Sequence, residues 1–218
     1  MKKGFIISMA LSLISFAVAI WFISTTEGQI PTNWGWDGEV NAWGSPWTIL
    51  WFPCIAIFTT LLMYFLPAID PKGENIKKSG PILPIIMVLI AALMIGIQGF
   101  MIAAVKGSEI MNMTVFISFA LGIMFILMGY YMPRVKHNYM LGIRTPWTLF
   151  SEKVWNKTHE ESARWIILAG ILYLLGMFFP EPIGIIIPTI MVIVIFIGIT
   201  WYSYLLYIQE KETKNTKK

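Results

Sequence analysis

The stretch from residue 142 to residue 159 carries the most specific polar chemistry in the chain. It reads Gly-Ile-Arg-Thr-Pro-Trp-Thr-Leu-Phe-Ser-Glu-Lys-Val-Trp-Asn-Lys-Thr-His and lies between two apolar segments. The glycine allows a tight backbone approach beside Arg144, and Pro146 fixes the chain just beyond it. A guanidinium held this way can make a bidentate contact with a carboxylate or phosphate, or stack on Trp147. The alternative is an arginine that only anchors the chain at lipid phosphates.

A helix is predicted to follow this arginine. Thr148 or Ser151 is placed to cap a helix that begins near Glu152, with that carboxylate in its first turn. Trp155 and His159 then share one helix face, because they are four residues apart. No second histidine stands at ligand spacing, and His-Glu-Glu is not a zinc-binding pattern. We therefore expect His159 to be a surface or headgroup histidine, and we expect no metal.

A second unusual stretch, residues 25–46, combines tryptophans with carboxylates and lacks basic residues. Asp37 followed by glycine indicates a turn. The tryptophans are expected either to form an aromatic belt at the membrane surface or to bind a cationic, amphipathic ligand together with the carboxylates. The candidate ligand-binding residues of this loop are Pro31, Trp34, Trp36, Asp37, Glu39 and Trp43.

The rest of the sequence offers little that is suited to catalysis. It contains no nucleophile–base pair, no phosphate-binding glycine loop and no paired catalytic carboxylates, so we expect no catalytic residue, no cofactor and no enzyme activity. Gln98 is the main strongly polar side chain within the apolar segments. Ion-coupled transport usually needs charged groups there, which argues against a proton-coupled pump. The single cysteine, Cys54, excludes an intrachain disulfide.

The elements that position these residues are predicted to be membrane helices. Of the 218 residues, 57% are hydrophobic and only 13% are charged, against about 25% charged in soluble domains. About 20 apolar residues span a bilayer, and lipid requires the backbone to satisfy its own hydrogen bonds. The fifth apolar segment is short, and is either a thin span or part of a longer helix that starts in the preceding loop. The predicted segments are 5–24, 47–68, 82–105, 113–132, 165–180 and 183–208.

The chain is therefore predicted to be an all-α, polytopic cell-membrane protein, with about six transmembrane helices in a single membrane domain, residues 1–218. Fifteen of its 16 basic residues fall on one side of these segments, and only Lys106 falls on the other. The positive-inside rule then predicts that both termini are cytoplasmic. Because membrane orientation accounts for the net charge of +4, we expect no direct binding of nucleic acid.

Two further predictions concern the ends of the chain. The first apolar segment is either a full span or a signal peptide with a small-residue cleavage site near Ala19. The charged segment 209–218 is predicted to be a disordered tail.

Two sets of residues resemble known families. The outer loop, with Ile30-Pro-Thr, Trp34, Gly38 and Pro53, resembles a membrane module called DUF1648. The inner loop resembles the signature of the SdpI family, bacterial membrane proteins named for the immunity protein against the SDP toxin of bacilli. Thr158 also matches that signature. The candidate site residues of the signature are Asn138, Gly142, Arg144, Thr145, Pro146, Trp147, Thr148, Trp155 and His159.

The resemblance implies a DUF1648-like module over residues 1–68 and an SdpI-like four-span part over residues 82–208, with its signature in loop 133–164. It implies resistance to an extracellular antimicrobial peptide. It also implies signalling to a cytoplasmic repressor of the ArsR type, so the expected partners are the bilayer, a peptide toxin and that repressor. Two alternatives stay open. One is a membrane enzyme or transporter in which Arg144 holds the phosphate of a lipid or cell-wall precursor, and the other is a purely structural role.

Overall fold

The computed structural model describes residues 1–35, 37–107 and 112–216. Trp36, one of the candidate ligand-binding residues, lies outside the described residues. The fold is all-α and polytopic, as predicted. A 3₁₀ turn, Pro46–Leu50, leads into α2, and another, Met132–Arg134, follows α5. The helices are α1 Lys2–Thr25, α2 Trp51–Ile69, α3 Gly73–Lys78, α4 Ile82–Val105, α5 Met113–Tyr131, α6 Pro146–Phe150, α7 Glu152–Gly176 and α8 Ile183–Thr216.

Five helices are long and apolar enough to cross a membrane: α1, α2 with its leading turn, α4, α5 and α8. Helix α7 has a different composition, because its first turns are charged and its apolar part starts only at Trp165. The predicted fifth span is thus the end of a longer helix that starts in the preceding loop, which was one of the two expected forms. It ends at Gly176.

Helix α7 runs antiparallel between α5 and α8, in close contact with both. A Cβ on Gly170 would lie 2.6 Å from the carbonyl oxygen of Gly122 on α5. A Cβ on Gly176 would lie 2.1 Å from the carbonyl oxygen of Gly184 on α8. Small residues such as these glycines let the backbones of membrane helices approach each other closely. One face of the apolar part of α7 is therefore buried against α5 and α8, while the other face stays exposed, with Trp165, Leu168, Ile171 and Leu175.

The first three long helices, α1, α2 and α4, form a second group. Ser8 Oγ on α1 donates to the carbonyl oxygen of Met87 at 3.0 Å and shares a 2.6 Å hydrogen bond with Thr60 Oγ1. Gln98 Nε2 donates to the carbonyl oxygen of Ser15 at 2.9 Å, and its side-chain oxygen accepts from Ser15 Oγ. Gln98 therefore joins two membrane helices, and its amide oxygen and its amide nitrogen each have a partner.

The contacts between helices fix their directions. Gly4 meets Pro84 near the starts of α1 and α4, so these two helices are parallel. Phe5 packs on Tyr64 near the end of α2, so α2 is antiparallel to both. With α7 antiparallel to α5 and α8, the six long helices alternate in direction. The start of α1 and the end of α8 consequently share one face, which also carries every described lysine and arginine except Lys106.

A β-hairpin that hydropathy did not predict covers the opposite face. Strand β1, Ile30–Trp34, pairs antiparallel with β2, Val40–Gly44. Gly38 has φ +78°, and Asp37 Oδ1 accepts a hydrogen bond from the Glu39 amide at 3.1 Å, so the expected Asp-Gly turn is confirmed. The hairpin tip rests on the start of α5, because a Cβ on Gly38 would lie 2.3 Å from the Asn112 side chain.

The tail differs from the prediction. Helix α8 continues to Thr216, whereas a disordered segment was expected from residue 209. Lys214 Nζ pairs with Glu210 Oε1 at 2.6 Å, and the Glu210 carboxylate accepts from Ser151 Oγ. These contacts extend the helix into the polar region. Lys217 and Lys218 lie outside the described residues.

Candidate functional site

The segment between α5 and α7, residues 135–151, folds over the first turns of α7 and is called here the signature loop. The loop packs on Trp155 of α7, which is fully buried and donates from Nε1 to the carbonyl oxygen of Val135 at 2.8 Å. The ring of Trp155 stacks on His159 with centroids 4.1 Å apart. His137 packs against the same indole at 5.1 Å. Trp155, His159 and His137 form an aromatic column beneath the loop.

His159 contacts the signature loop through one ring nitrogen and its own helix, α7, through the other. Its Nδ1 lies 2.9 Å from the carbonyl oxygen of Trp155, and its Nε2 lies 3.0 Å from the amide nitrogen of Ile143. Because the amide must donate, Nε2 accepts, and the neutral ring carries its proton on Nδ1. Burial lowers the pKa of His159 to about 4. The residue precedes the apolar part of α7 that starts at Trp165, so it lies outside the spanning segment.

The prediction of a surface histidine at this position is wrong, and Gly142 gives the reason. Gly142 has φ +107°, and a Cβ there would lie 2.4 Å from His159 Nε2. Only glycine combines that backbone conformation with such a close approach. The tight approach predicted for Gly142 is confirmed, and its consequence is that the loop covers the imidazole.

The Thr-Pro-Trp-Thr run starts the short helix α6. The Thr148 amide donates to Thr145 Oγ1 at 3.1 Å, and the Thr145 amide donates to Thr148 Oγ1 at 2.9 Å. This is a reciprocal capping box with Pro146 in the first turn, where its missing N–H costs nothing. Thr145 Oγ1 also shares a 3.0 Å hydrogen bond with Ser203 Oγ, which ties the loop to α8.

Arg144 is exposed, unlike most of the signature. Its Nη1 donates to the carbonyl oxygen of Tyr139 at 3.1 Å. Trp147 packs on Tyr204 of α8 at 5.1 Å, so the structure does not bear out stacking of Arg144 on Trp147. Within the described ranges no carboxylate forms an ion pair with Arg144. Most of the guanidinium is therefore free to bind an anion or a partner.

Asn138 shapes the first turn of the loop and is fully buried. Its Nδ2 donates to the carbonyl oxygens of Lys136 and Leu141, at 2.7 and 3.0 Å. Its Oδ1 accepts from the amides of Met140 and Leu141, at 2.9 and 2.6 Å. All the hydrogen-bonding capacity of the amide is used within the loop, so Asn138 is a positioning residue.

A second set of residues, which was not predicted from the sequence, lies between α2 and α4. Asp70 Oδ2 accepts from the Tyr139 amide at 2.8 Å, and its Oδ1 accepts from the Lys72 amide at 2.6 Å. Asn75 Nδ2 donates to the carbonyl oxygen of His137 at 2.7 Å. The signal was an Asp-Pro pair directly after a span, which is typical of a side-chain-stabilised turn. We call Asp70, Lys72, Asn75 and Ser79 the latch; Ser79 Oγ accepts from the Lys136 amide at 2.9 Å.

One contact of the latch sets the protonation of His137. Lys72 Nζ lies 2.9 Å from His137 Nδ1, and His137 Nε2 lies 3.1 Å from the carbonyl oxygen of Leu149. Because the ammonium can only donate, Nδ1 accepts and the neutral ring carries its proton on Nε2. Burial and the nearby charge of Lys72 both lower the pKa of His137. The neutral ring therefore links the first helix group to the signature loop.

The outer candidate residues lie at the opposite end of the bundle and do not form one cluster. Pro31 is buried and Trp34 is half-buried against α4. Trp43 points outward with 56% of its surface exposed, and Asp37 and Glu39 are exposed at the hairpin tip. Among residues 1–35, 37–107 and 112–216, no group of three His, Cys, Asp or Glu side chains is placed to hold a metal ion.

The long apolar helices define a multi-pass cell-membrane protein. The hairpin lies at one face of the helices, and the signature loop lies at the other. Residues 134–205 match the family described as the SdpI/YfhL protein family, and residues 10–57 match a domain of unknown function, DUF1648. The immunity protein SdpI of Bacillus subtilis is 27% identical over 207 residues, which cover 95% of this chain and 97% of that protein. No solved structure matches. The resemblance to the SdpI family is confirmed.

Proposed function

We propose that this chain protects a bacterial cell against an extracellular antimicrobial peptide, with the hairpin outside and the signature loop in the cytoplasm. The observation that carries the proposal is the end-to-end similarity to an immunity protein, which includes both the hairpin and the signature loop. The orientation is supported by charge, since the face with the signature loop carries nearly all the lysines and arginines.

The division of labour that we propose follows the two faces. The DUF1648-like part, residues 1–68, presents the hairpin that meets the peptide. The SdpI-like part, residues 82–208, presents the signature loop. The hairpin tip contacts the start of α5 at Asn112, and the latch contacts the signature loop at His137 and Tyr139. Each face therefore has a contact between the first helix group and the second.

The exposed part of the signature loop is the surface that we propose for a cytoplasmic repressor of the ArsR type. Arg144, Tyr139 and Lys136 are exposed, whereas the aromatic column beneath them is buried. We expect the repressor to co-sediment with membranes that contain the wild-type chain and bound toxin, and to co-sediment less with Arg144→Ala. Equal co-sedimentation with membranes that lack the chain would exclude this partner.

Survival of a toxin-sensitive bacillus tests the protective function. Expression of the wild-type chain should raise survival under the SDP toxin. The double variant Asp37→Asn with Glu39→Gln should protect less at the same membrane level, because exposed charges steer the approach of a charged ligand. Glu74→Gln is the matched control, since Glu74 is an exposed carboxylate on the opposite face. Absence of protection by a normally inserted wild-type chain would contradict the proposal.

Arg144 favours a second candidate function, a transporter or enzyme that handles a lipid or cell-wall precursor. Its guanidinium is exposed and makes one hydrogen bond among the described residues, so it can bind a phosphate. Arg144→Lys should then abolish activity while the membrane level holds, because a point charge does not replace the planar fork. A purely structural role predicts instead that changes at Arg144 and Trp147 lower abundance and activity together.

A further inference from the structure

A hollow of about 290 Å³ lies at the hairpin end of the bundle, between the hairpin, α4 and α5. Its walls are mainly aromatic and glycine surfaces, with one amide at the edge. An apolar cavity of about 150 Å³ is enough for a benzene ring, so this hollow has room for a large apolar side chain. The residues that matter for the argument are Trp34, Gly96, Gly99, Phe100, Asn112 and Phe116.

The two glycines of α4 contribute to the hollow in different ways. A Cβ on Gly96 would lie 2.2 Å from Cζ of Phe116, so glycine is needed there for the packing of α5. Among the described residues, a Cβ on Gly99 would meet no heavy atom within 4 Å. Packing of these residues therefore does not require glycine at 99. None of them fills the space beside Gly99, whereas Phe116 fills the space beside Gly96.

We propose that this hollow is the binding site for a bulky apolar side chain of a cationic, amphipathic peptide. The proposal rests on the proposed function, and it adds the place and the kind of group that is bound. Phe100 and Phe116, whose ring centroids lie 5.0 Å apart, supply an aromatic wall. Trp34 of the hairpin supplies a third aromatic surface. Such walls favour an aromatic or branched aliphatic side chain, because burial of its surface is the main attraction.

The charges around the hollow favour a peptide over a lipid. Gly38 borders the hollow, and its neighbours Asp37 and Glu39 are exposed carboxylates. Lys106, the basic residue of this face, lies over the Trp21 ring at 5.2 Å. An acidic rim attracts a cationic peptide and repels an anionic headgroup.

The position of the hollow also gives the bound peptide a physical effect. Its walls belong to α4 of the first helix group and α5 of the second, and its cover is the hairpin. A side chain inserted here contacts all three elements at once. Peptide binding at this site therefore stabilises one arrangement of the two helix groups over others, since a ligand favours the state that it binds best.

The test fills the hollow in the full-length chain. Gly99→Leu puts a side chain into the open space without displacing the neighbours that a Cβ at Gly96 would meet. Gly198→Leu on α8 is the matched control, because a Cβ there also meets nothing within 4 Å. Each variant is placed in lipid nanodiscs and titrated with synthetic SDP toxin. We expect Gly99→Leu to weaken binding by roughly tenfold or more, and Gly198→Leu to bind like the wild type.

Survival of a toxin-sensitive strain is measured on the same variants, so the two proposals can fail separately. Binding that is lost only in Gly99→Leu supports the site, even if the wild-type chain gives no protection and the immunity function fails. Equal binding by the wild type and Gly99→Leu overturns the site, and the survival assay then judges protection separately. Absence of toxin binding by the inserted wild-type chain, or equal loss in Gly198→Leu, also overturns the site.

Discussion

At the scale of single residues, the two histidines of the chain are buried at the signature loop. His159 and His137 are buried and neutral, each with its two nitrogens committed to hydrogen bonds. Arg144 and Lys136 of the signature loop are exposed to solvent instead. This arrangement indicates that the histidines position the loop and that the arginine is the group available to a partner.

Gly142→Ala should destabilise the protein by roughly 1–3 kcal/mol, because the new Cβ would meet His159 Nε2 in an already unfavourable backbone conformation. The measurement is the thermal unfolding midpoint in detergent. Gly80→Ala is the matched control: Gly80 has φ +78°, but a Cβ there meets no atom within 4 Å. Equal destabilisation by the two variants would show that contact with His159 contributes nothing.

Acidification should destabilise the protein through His159. Its pKa is about 4 in the folded chain and about 6.5 when unfolded. Below pH 6.5 the unfolded chain therefore binds a proton that the folded chain excludes, and stability falls until pH reaches about 4. The loss from this residue between pH 7 and pH 5 is on the order of 2 kcal/mol. His159→Gln should show a smaller drop in unfolding midpoint over this pH range than the wild type, and an unchanged drop would contradict the assignment.

At the scale of elements, the sequence was most informative where composition alone decides the structure. Hydropathy predicted α1, α2, α4 and α5 closely, because lipid admits few alternatives to a helix. It did not reveal the full length of α7, whose first turns are charged, but the predicted cap at Thr148 or Ser151 placed the start of this helix near Glu152, where it lies. It also missed the hairpin, whose short strands are crowded with Gly, Pro and Trp. The latch and the burial of His159 depend on contacts between distant segments, which no local pattern contains.

The hydrogen bonds between Ser15 and Gln98 should couple α1 to α4. Such bonds between membrane helices contribute about 0.6 kcal/mol on average and at most about 1.7. A double-mutant cycle with Ser15→Ala and Gln98→Leu, measured by unfolding in bicelles, should give a coupling energy within this range. A coupling energy of zero would mean that the bond between the Ser15 hydroxyl and the Gln98 side chain does not stabilise the packing of α1 on α4.

At the scale of the whole molecule, two groups of three long helices contact each other at both faces. At the hairpin face the hairpin tip rests on Asn112 at the start of α5. At the other face the latch holds the signature loop through Asp70, Asn75 and Ser79. We therefore expect that a change in the packing of the two helix groups at the hairpin face alters the exposed surface around Arg144.

Loss of the Asp70 carboxylate should loosen the signature loop. Asp70→Ala leaves the Tyr139 amide without its acceptor, and a hydrogen bond to a charged group contributes about 1.5–3 kcal/mol. Hydrogen exchange followed by mass spectrometry should show faster exchange around Tyr139, by roughly tenfold or more. Glu74→Ala, which removes an exposed carboxylate nearby, should leave this exchange unchanged. Unaltered exchange in Asp70→Ala would mean that the latch does not hold the loop.

The most direct measurement of the central claim is survival of a toxin-sensitive bacillus as a function of how much of this chain its membrane contains. The SDP toxin is the challenge, and the wild-type chain is compared with Arg144→Ala at matched membrane levels. The account predicts that survival rises with the amount of wild-type chain and that Arg144→Ala protects less at every level. Survival that does not rise with a normally inserted wild-type chain would contradict it.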